Sequence, residues 1–185
     1  MIYYYAPFDD SENMIELLEE SIFIREKTGI EPVAFMKKSA KHIVPYIKPS
    51  DKLYIVAHGD RNGLGHGLIY DDALTPSQLA HHLNSLKLDR DFRDLRIFAC
   101  DSGCNHSMHI PSVAARLKES LLSLGYKKIV VTGYMGKVIL NRDYRISKDM
   151  KLDKRKRKGI IPSDDIFSAN EFNEIFIASQ FKVVF

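Results

Sequence analysis

Short apolar runs alternate with amphipathic stretches along the chain, and this pattern predicts an α/β domain. Three apolar runs, rich in β-branched and aromatic residues, predict buried strands at 2–6, 53–57 and 95–99. A fourth strand is predicted at 128–132, just before Gly133. Apolar positions with a period of about 3.6 residues predict helices at 11–29, 32–47, 75–86 and 111–124.

The order of these elements predicts a mainly parallel central sheet with helices on both faces. No internal repeat and no linker-like composition divides the sequence, so residues 1–185 are predicted to form a single domain. Residues 138–146 alternate around Asn141-Arg142-Asp143, which predicts a β-hairpin. The segment 172–185 predicts either a pair of strands or a short helix and a strand.

The composition is that of a globular protein and excludes several functional classes. Apolar residues make up 45% and charged residues 28%, which excludes disordered and disulfide-rich chains. A net charge of +3 is too small to indicate a nucleic-acid partner, and two cysteines fit a reducing compartment. No apolar run approaches the ~18 residues that span a bilayer, and the N-terminus lacks a cleavable signal peptide. We therefore expect a cytoplasmic protein with no membrane partner, with signal-independent secretion as an alternative.

Two predicted strands end in residues that carry chemistry. His58 follows the strand 53–57 and Cys100 follows the strand 95–99. One crossover helix between them predicts parallel strands, either neighbours or one strand apart, with both ends at one edge of the sheet. An imidazole beside a thiol accepts its proton and generates the nucleophilic thiolate, and the amides of Gly59 and Cys100 are candidate donors to an oxyanion. The alternative is that the thiol is a small buried apolar group and the imidazole is structural.

Two motifs resemble the caspase-like cysteine peptidases, often called clan CD: Tyr54-Ile-Val-Ala-His-Gly-Asp and Leu95-Arg-Ile-Phe-Ala-Cys-Asp-Ser-Gly. In that group an apolar strand ends in His-Gly, and a later apolar strand ends in Ala-Cys or Gly-Cys. The resemblance is greatest to the self-cleaving protease domains of large bacterial toxins. Those domains also have a glycine-rich loop after His-Gly and a later β-flap, which residues 133–148 resemble.

This resemblance implies a caspase-like three-layer sandwich with a β-hairpin flap and a thiol protease activity on a protein or peptide substrate. It implies that Cys100 is the nucleophile, that His58 is the general base, and that the Gly59 and Cys100 amides form the oxyanion hole. It also implies an effector or toxin-type protease delivered into a host or competitor cell. Two departures weaken any inference of aspartate specificity: Phe98 stands where caspases have Gln, and Gly103 follows the cysteine by three residues.

Acidic and histidine side chains next to this pair are candidates for substrate binding. Asp60 and Asp101 are expected to be solvated loop residues or turn caps. The alternative is that either of them orients His58 or lines the pocket for the P1 residue, the substrate residue before the scissile bond. If one of them lines the pocket, a basic P1 side chain is expected. His66 lies in a glycine-rich stretch that lacks the Gly-Lys-Ser/Thr ending of a phosphate loop, so we expect a mobile loop over the site.

Two other functions compete with the peptidase. Zinc-ligand residue types cluster within ten positions, and His66 is a further candidate: Cys100, Cys104, His106 and His109. Their spacing is not that of a common zinc finger, so we expect a polar loop and no required metal, with Cys104 as a candidate redox partner of Cys100. A catalytically inactive binding domain of the same fold is the other alternative.

The segment 151–158 is the one dense run of basic residues. It predicts a solvated, mobile segment, and it also resembles a nuclear-localisation signal or a cleavage site for a protease that prefers basic residues. The toxin protease domains are activated by inositol hexakisphosphate, so the resemblance makes this segment a candidate site for a polyphosphate ligand. No individual ligand residues are assigned. The absence of an aromatic-interleaved basic patch argues against nucleic acid.

Overall fold

A six-stranded, mainly parallel sheet lies at the centre of the protein, as predicted. The computed structural model describes residues 1–9, 25, 29–60, 62–66, 69–105, 107–140, 158–161, 176–177 and 181–185. The strands in chain order are β1 (Ile2–Ala6), β2 (Val33–Met36), β3 (Lys52–Val56), β4 (His58–Gly59), β5 (Leu64–His66), β6 (Ile69–Leu74), β7 (Asp94–Phe98), β8 (Val130–Tyr134), β9 (Lys137–Leu140), β10 (Lys158–Ile161), β11 (Phe176–Ile177) and β12 (Lys182–Val184). The order in the central sheet is β12-β8-β7-β3-β1-β2, and β12 runs antiparallel to β8.

The described helices are α1 (Lys37–Ile43), α2 (Pro76–Ser85) and α3 (Val113–Ser123), with a 3-10 turn at Val44–Tyr46. A capping box starts α2: the Gln78 amide donates to Thr75 Oγ1 over 3.2 Å, and the Thr75 amide donates to Gln78 Oε1 over 2.8 Å. The hydroxyl of Ser112 caps α3 by accepting from the Ala115 amide. The predicted helices 75–86 and 111–124 are thus confirmed.

One face of β3 and β7 is fully buried, and the other face is buried at the carboxyl ends of the strands but half-buried or exposed before them, which explains why apolar residues dominate both sequences. On one face, Leu53, Ile55, Leu95 and Ile97 join a core cluster that includes the apolar residues of α2 and α3. On the other face, Val56 and Phe98 belong to a second cluster with Tyr4, Met36 and Tyr134. The predicted helix 11–29, a candidate to cover a sheet face, lies outside the described residues apart from 25 and 29.

The predicted helix 32–47 is wrong in its first part. Val33–Met36 forms the edge strand β2, parallel to β1, and the helix begins at Lys37. The reason is tertiary: Tyr3 and Tyr5 of β1 lie opposite Val33 and Phe35, and the Tyr5 and Phe35 rings stack with centroids 5.0 Å apart. Four apolar residues beside an open strand edge gain ladder hydrogen bonds that a helical start does not offer.

The glycine-rich stretch after His58 is not a simple loop over the site. β4, β5 and β6 form a small antiparallel sheet, with His58 opposite Gly65 and Gly59 opposite Leu64. Glycine has a low strand propensity, so the sequence pattern favoured a loop. Close backbone contact explains the glycine: a Cβ at Gly63 would lie 2.6 Å from the carbonyl oxygen of Leu74.

The third sheet has the order β11-β10-β9, and all its pairs are antiparallel. β9 begins the predicted hairpin 138–146, but it pairs with β10, and residues 141–157 lie outside the described part of the chain. That gap also contains most of the basic run 151–158. Of the two options for 172–185, the described residues show two strands, β11 and β12, which belong to different sheets. No helix among the described residues has the length and apolar character needed to cross a bilayer.

Candidate active site

The register of β3 and β7 brings His58 and Cys100 to the same edge of the sheet. Each of the five cross-strand pairs, from Lys52 with Asp94 to Val56 with Phe98, joins residues 42 positions apart. The Ala57 amide continues this ladder by donating to the Phe98 carbonyl over 3.5 Å. His58 and Cys100 are also 42 positions apart and follow two residues later. The two strands are therefore neighbours, with backbones about 4.8 Å apart, and the alternative of an intervening strand is wrong.

Gly59 lies against the backbone of the cysteine segment. A Cβ built at Gly59 would lie 2.9 Å from Ala99 Cβ and 3.3 Å from the Cys100 carbonyl oxygen. Glycine is therefore required at this position if the residue after His58 is to approach Cys100 this closely. His58 is half-buried, and its Nε2 atom is enclosed by the protein. Cys100 is half-buried as well, so part of this residue is accessible to solvent.

Ser102, which sequence analysis did not single out, holds the turn that follows Cys100. Its fully buried hydroxyl donates to the Ile97 carbonyl over 2.9 Å and accepts from the Tyr134 amide over 3.0 Å. Its carbonyl accepts from the Ala114 amide near the start of α3 over 2.9 Å. One residue thus ties the turn to β7, β8 and α3.

Two glycines let the cysteine turn contact β8 backbone to backbone. A Cβ at Gly133 would lie 2.8 Å from the Gly103 Cα, and a Cβ at Gly103 would lie 3.0 Å from the Tyr134 nitrogen. The Gly103 amide donates to the Tyr134 carbonyl, and the Asp101 amide donates to the Gly136 carbonyl, both over 2.8 Å. The nucleophile candidate is therefore held by the sheet itself.

Asp101 is placed as a turn residue. It has a left-handed backbone conformation with φ of 52°, which aspartate tolerates better than most residues. Its Oδ1 atom accepts from the Cys104 sulfur over 3.5 Å, and its carbonyl accepts from the Cys104 amide over 2.9 Å. This placement corresponds to the expected turn cap rather than to a substrate pocket.

A cavity of about 400 Å³ opens beside His58. Its lining residues come from the small sheet and its loops: His58, Gly59, Asp60, Asn62, Gly63, Leu64, Gly65, Ala73, Leu74 and Thr75. Cavities of roughly 300–1,000 Å³ are typical of ligand sites. Asp60 lines this cavity next to the imidazole, and it caps a turn as well. His66 lies in β5, opposite Ile69.

The loop between β4 and β5 has two anchors. Asp60 Oδ1 accepts from the amides of Asn62 and Gly63 over 2.6 and 3.1 Å, which is an Asx turn. From α3, the Arg116 guanidinium donates to the Asn62 carbonyl over 3.0 Å. The helix that follows the cysteine turn thus contacts the loop that follows the histidine, and nothing in the sequence pattern pointed to this contact.

The zinc alternative finds no support in the residues that the structure describes. Cys104 is buried in the turn and His109 is exposed, whereas His106 lies outside the described residues. Within the described ranges, no group of three or more His, Cys, Asp or Glu residues is arranged to hold a metal ion.

Burial changes the acidity of two tyrosines near the ends of the sheet. Burial raises the pKa of Tyr134 well above its usual value, so the phenol stays neutral where its ring meets Phe98 edge-on at 5.5 Å. Burial likewise raises the pKa of Tyr5, and burial followed by the nearby charge of Lys37 lowers the pKa of His82. The Tyr5 hydroxyl and His82 Nε2 are 2.5 Å apart.

Comparisons of the chain with protein-family models, with curated proteins and with solved structures find no match.

Proposed function

We propose that the chain is a caspase-like cysteine endopeptidase, in which Cys100 is the nucleophile and His58 is its proton partner. The shared register of β3 and β7 supports this proposal above all, because it brings these two residue types to adjacent strand ends. The resemblance of the two motifs to clan CD peptidases supports it from the sequence side.

In the proposed reaction, His58 accepts the proton of the Cys100 thiol, and the thiolate attacks the carbonyl carbon of the scissile peptide bond. The amides of Gly59 and Cys100 are the candidate donors to the oxyanion, consistent with the contact between Gly59 and the Cys100 backbone. The carbon–nitrogen bond then breaks, and the imidazolium gives its proton to the leaving amine. Water attacks the resulting thioester, loses a proton to His58, and releases the acid and the thiol.

The hydrogen bonds around the cysteine support a preorganised site. Ser102, Gly103 and Asp101 each bond to residues of β8 or its following turn, so the backbone near the proposed nucleophile has fixed partners. Preorganised amides stabilise developing charge without the cost of reorienting during the reaction.

The proposal extends to the biological setting on the strength of the resemblance alone. The substrate is a protein or peptide, and the enzyme acts in a cytoplasm, that of the producing cell or of a host or competitor cell into which it is delivered. A polyphosphate such as inositol hexakisphosphate is proposed as an activator, with the basic run 151–158 as its first candidate site.

The test is intact-mass analysis after exposure to peptidyl acyloxymethyl ketones with Asp, Asn, Leu, Arg or Lys at P1, with and without inositol hexakisphosphate. We expect one covalent adduct, lost in Cys100→Ala and strongly reduced in His58→Ala. Cys104→Ala and His81→Ala are the matched controls, since Cys104 is the second cysteine and His81 is an exposed histidine on α2. If no probe labels the protein under either condition, the peptidase is wrong and the inactive binding domain is favoured.

A further inference from the structure

The cavity beside His58 has the chemistry of a binding site for a basic side chain. We propose that it is the S1 pocket, that Asp60 binds the cationic head of the P1 residue, and that the substrates are cleaved after Arg or Lys. The name S1 rests on the proposed function, whereas binding of a cationic alkyl group by this cavity does not.

The position of the cavity follows from the pairing of β4 with β5. His58 lies directly opposite Gly65, and side chains of opposed residues on antiparallel strands point to the same face, with Cβ atoms about 5 Å apart. Gly65 has no side chain, and a Cβ built there would meet nothing within 4 Å. The missing side chain therefore leaves open space beside the imidazole, where a substrate residue next to the scissile bond has to lie.

Asp60 provides a fixed negative charge in this space. Its Oδ1 atom accepts from two backbone amides, which hold the carboxylate in one orientation. Among the described residues, its Oδ2 atom takes a long contact of 3.4 Å from Asn62 Nδ2, so this oxygen keeps acceptor capacity for an ammonium or guanidinium group. Asp60 is the one carboxylate among the described residues that line the cavity, and none of them is Lys or Arg.

The remaining walls suit the alkyl stem of a basic residue. Leu64, Ala73 and Leu74 line the cavity together with three glycines. Lys and Arg place their methylene groups against apolar surface while the charged head reaches a polar partner. An acidic P1 residue would face the Asp60 carboxylate, and a branched apolar residue would desolvate that carboxylate without supplying a cation to it.

The first experiment measures the rate of Cys100 labelling by the probe series in wild type, Asp60→Asn and Gly65→Val. Asn keeps an oxygen for the Asx turn and removes the negative charge, whereas Val adds methyl groups to a position whose Cβ would meet nothing within 4 Å. We expect wild type to react with Arg or Lys probes on the order of a hundredfold faster than with Leu or Asp probes. Asp60→Asn is expected to lose about tenfold or more of this preference, measured as the ratio of the Arg-probe rate to the Leu-probe rate, and Gly65→Val is expected to slow every P1 probe with a long side chain.

The second experiment needs no catalysis: amide chemical shifts are recorded as agmatine, a guanidinium on an alkyl stem, is added to wild type and Asp60→Asn. We expect shifts at Gly63 and Gly65 in wild type that vanish in the variant. Labelling of Cys100 without a basic preference, or with a preference that Asp60→Asn leaves unchanged, would overturn the pocket assignment and leave the peptidase standing. Agmatine binding without any labelling would leave the cation site standing and overturn the peptidase, and failure of both would overturn both.

Discussion

The hydroxyl of Ser102 accepts a hydrogen bond from the amide of Tyr134 over 3.0 Å, and so joins the turn after Cys100 to the neighbouring strand β8. The same hydroxyl donates to Ile97 in β7. The ladder between β7 and β8 has three pairs and ends at Arg96 with Thr132, so beyond that pair the Ser102 side chain connects the two strands.

Replacing Ser102 with Ala is expected to lower the free energy of unfolding by about 1–3 kcal/mol, because the buried Tyr134 amide loses its acceptor. Urea denaturation measures this loss. Ser123→Ala is the control, since that exposed hydroxyl bonds only a carbonyl of its own helix, and its effect should stay within about 0.5 kcal/mol. Equal effects of the two variants would show that Ser102 does not hold the turn.

Replacing Gly59 with Ala is expected to separate the histidine and cysteine segments, because the added Cβ would lie 2.9 Å from Ala99 Cβ. A displacement near 1 Å predicts a loss in the Cys100 labelling rate on the order of a hundredfold. Gly65→Ala in the adjoining strand is the comparison variant: its Cβ meets nothing within 4 Å, so it is expected to slow only probes with a long P1 side chain, whereas Gly59→Ala is expected to slow every probe. Labelling by Gly59→Ala at the wild-type rate would contradict the close approach as a requirement for the site.

Replacing Arg116 with Met removes the guanidinium that donates to the Asn62 carbonyl but keeps an unbranched alkyl side chain on α3. We expect faster hydrogen exchange at the Gly63 amide, which the Asx turn of this loop protects, and a stability loss of about 1 kcal/mol. The exposed Arg93 gives the comparison variant, Arg93→Met. Unchanged exchange at Gly63 in Arg116→Met would mean that the Asx turn alone orders the loop.

Stability is expected to depend on pH through His82. Burial and the charge of Lys37 lower its pKa in the folded protein below the ordinary value of 6.5, so the unfolded chain binds this proton more readily. The contribution is therefore fully present above pH 6.5 and is lost as the pH falls through the lower, folded pKa. Urea titrations between pH 7.5 and 5 should show this loss in wild type and in His81→Gln, and should show a smaller loss in His82→Gln. The same slope in all three proteins would assign the effect to other groups.

Much of the sheet could be predicted because its strands carry continuous apolar runs. The strands at β1, β3 and β7 and the helices α2 and α3 follow from period and caps within each segment. The order of the strands does not follow from these local patterns, since pairing joins residues far apart in sequence. The structure was needed to decide whether β3 and β7 are neighbours or are separated by one strand. The same limit explains β2, where the open edge of β1 decided the conformation of Val33–Met36.

The sequence predicts the reactive residues of the candidate site, but not the residues that hold them in place. His58, Gly59 and Cys100 stand at strand ends, which is a local signal. Ser102 has no such local signal, because a serine in a polar turn resembles any surface residue in sequence. Its burial between β7 and β8 appears only in the folded structure. The glycine-rich sequence predicts a loop at Gly65. Its position opposite His58 depends on the register of the β4–β5 pair, and glycine has a low propensity for strands.

The imidazole and the thiol belong to different sheets: His58 starts the small antiparallel sheet, whereas the turn of Cys100 is fastened to the central one. The distance between the imidazole and the thiol therefore depends on how the small sheet packs against the central sheet. A displacement of the small sheet by about an ångström, whether from a substrate in its cavity or from the loss of the Arg116 contact, is therefore expected to change the reaction rate without altering either reactive atom. Ala57 is the residue at which the chain passes from β3 of the central sheet to β4 of the small one.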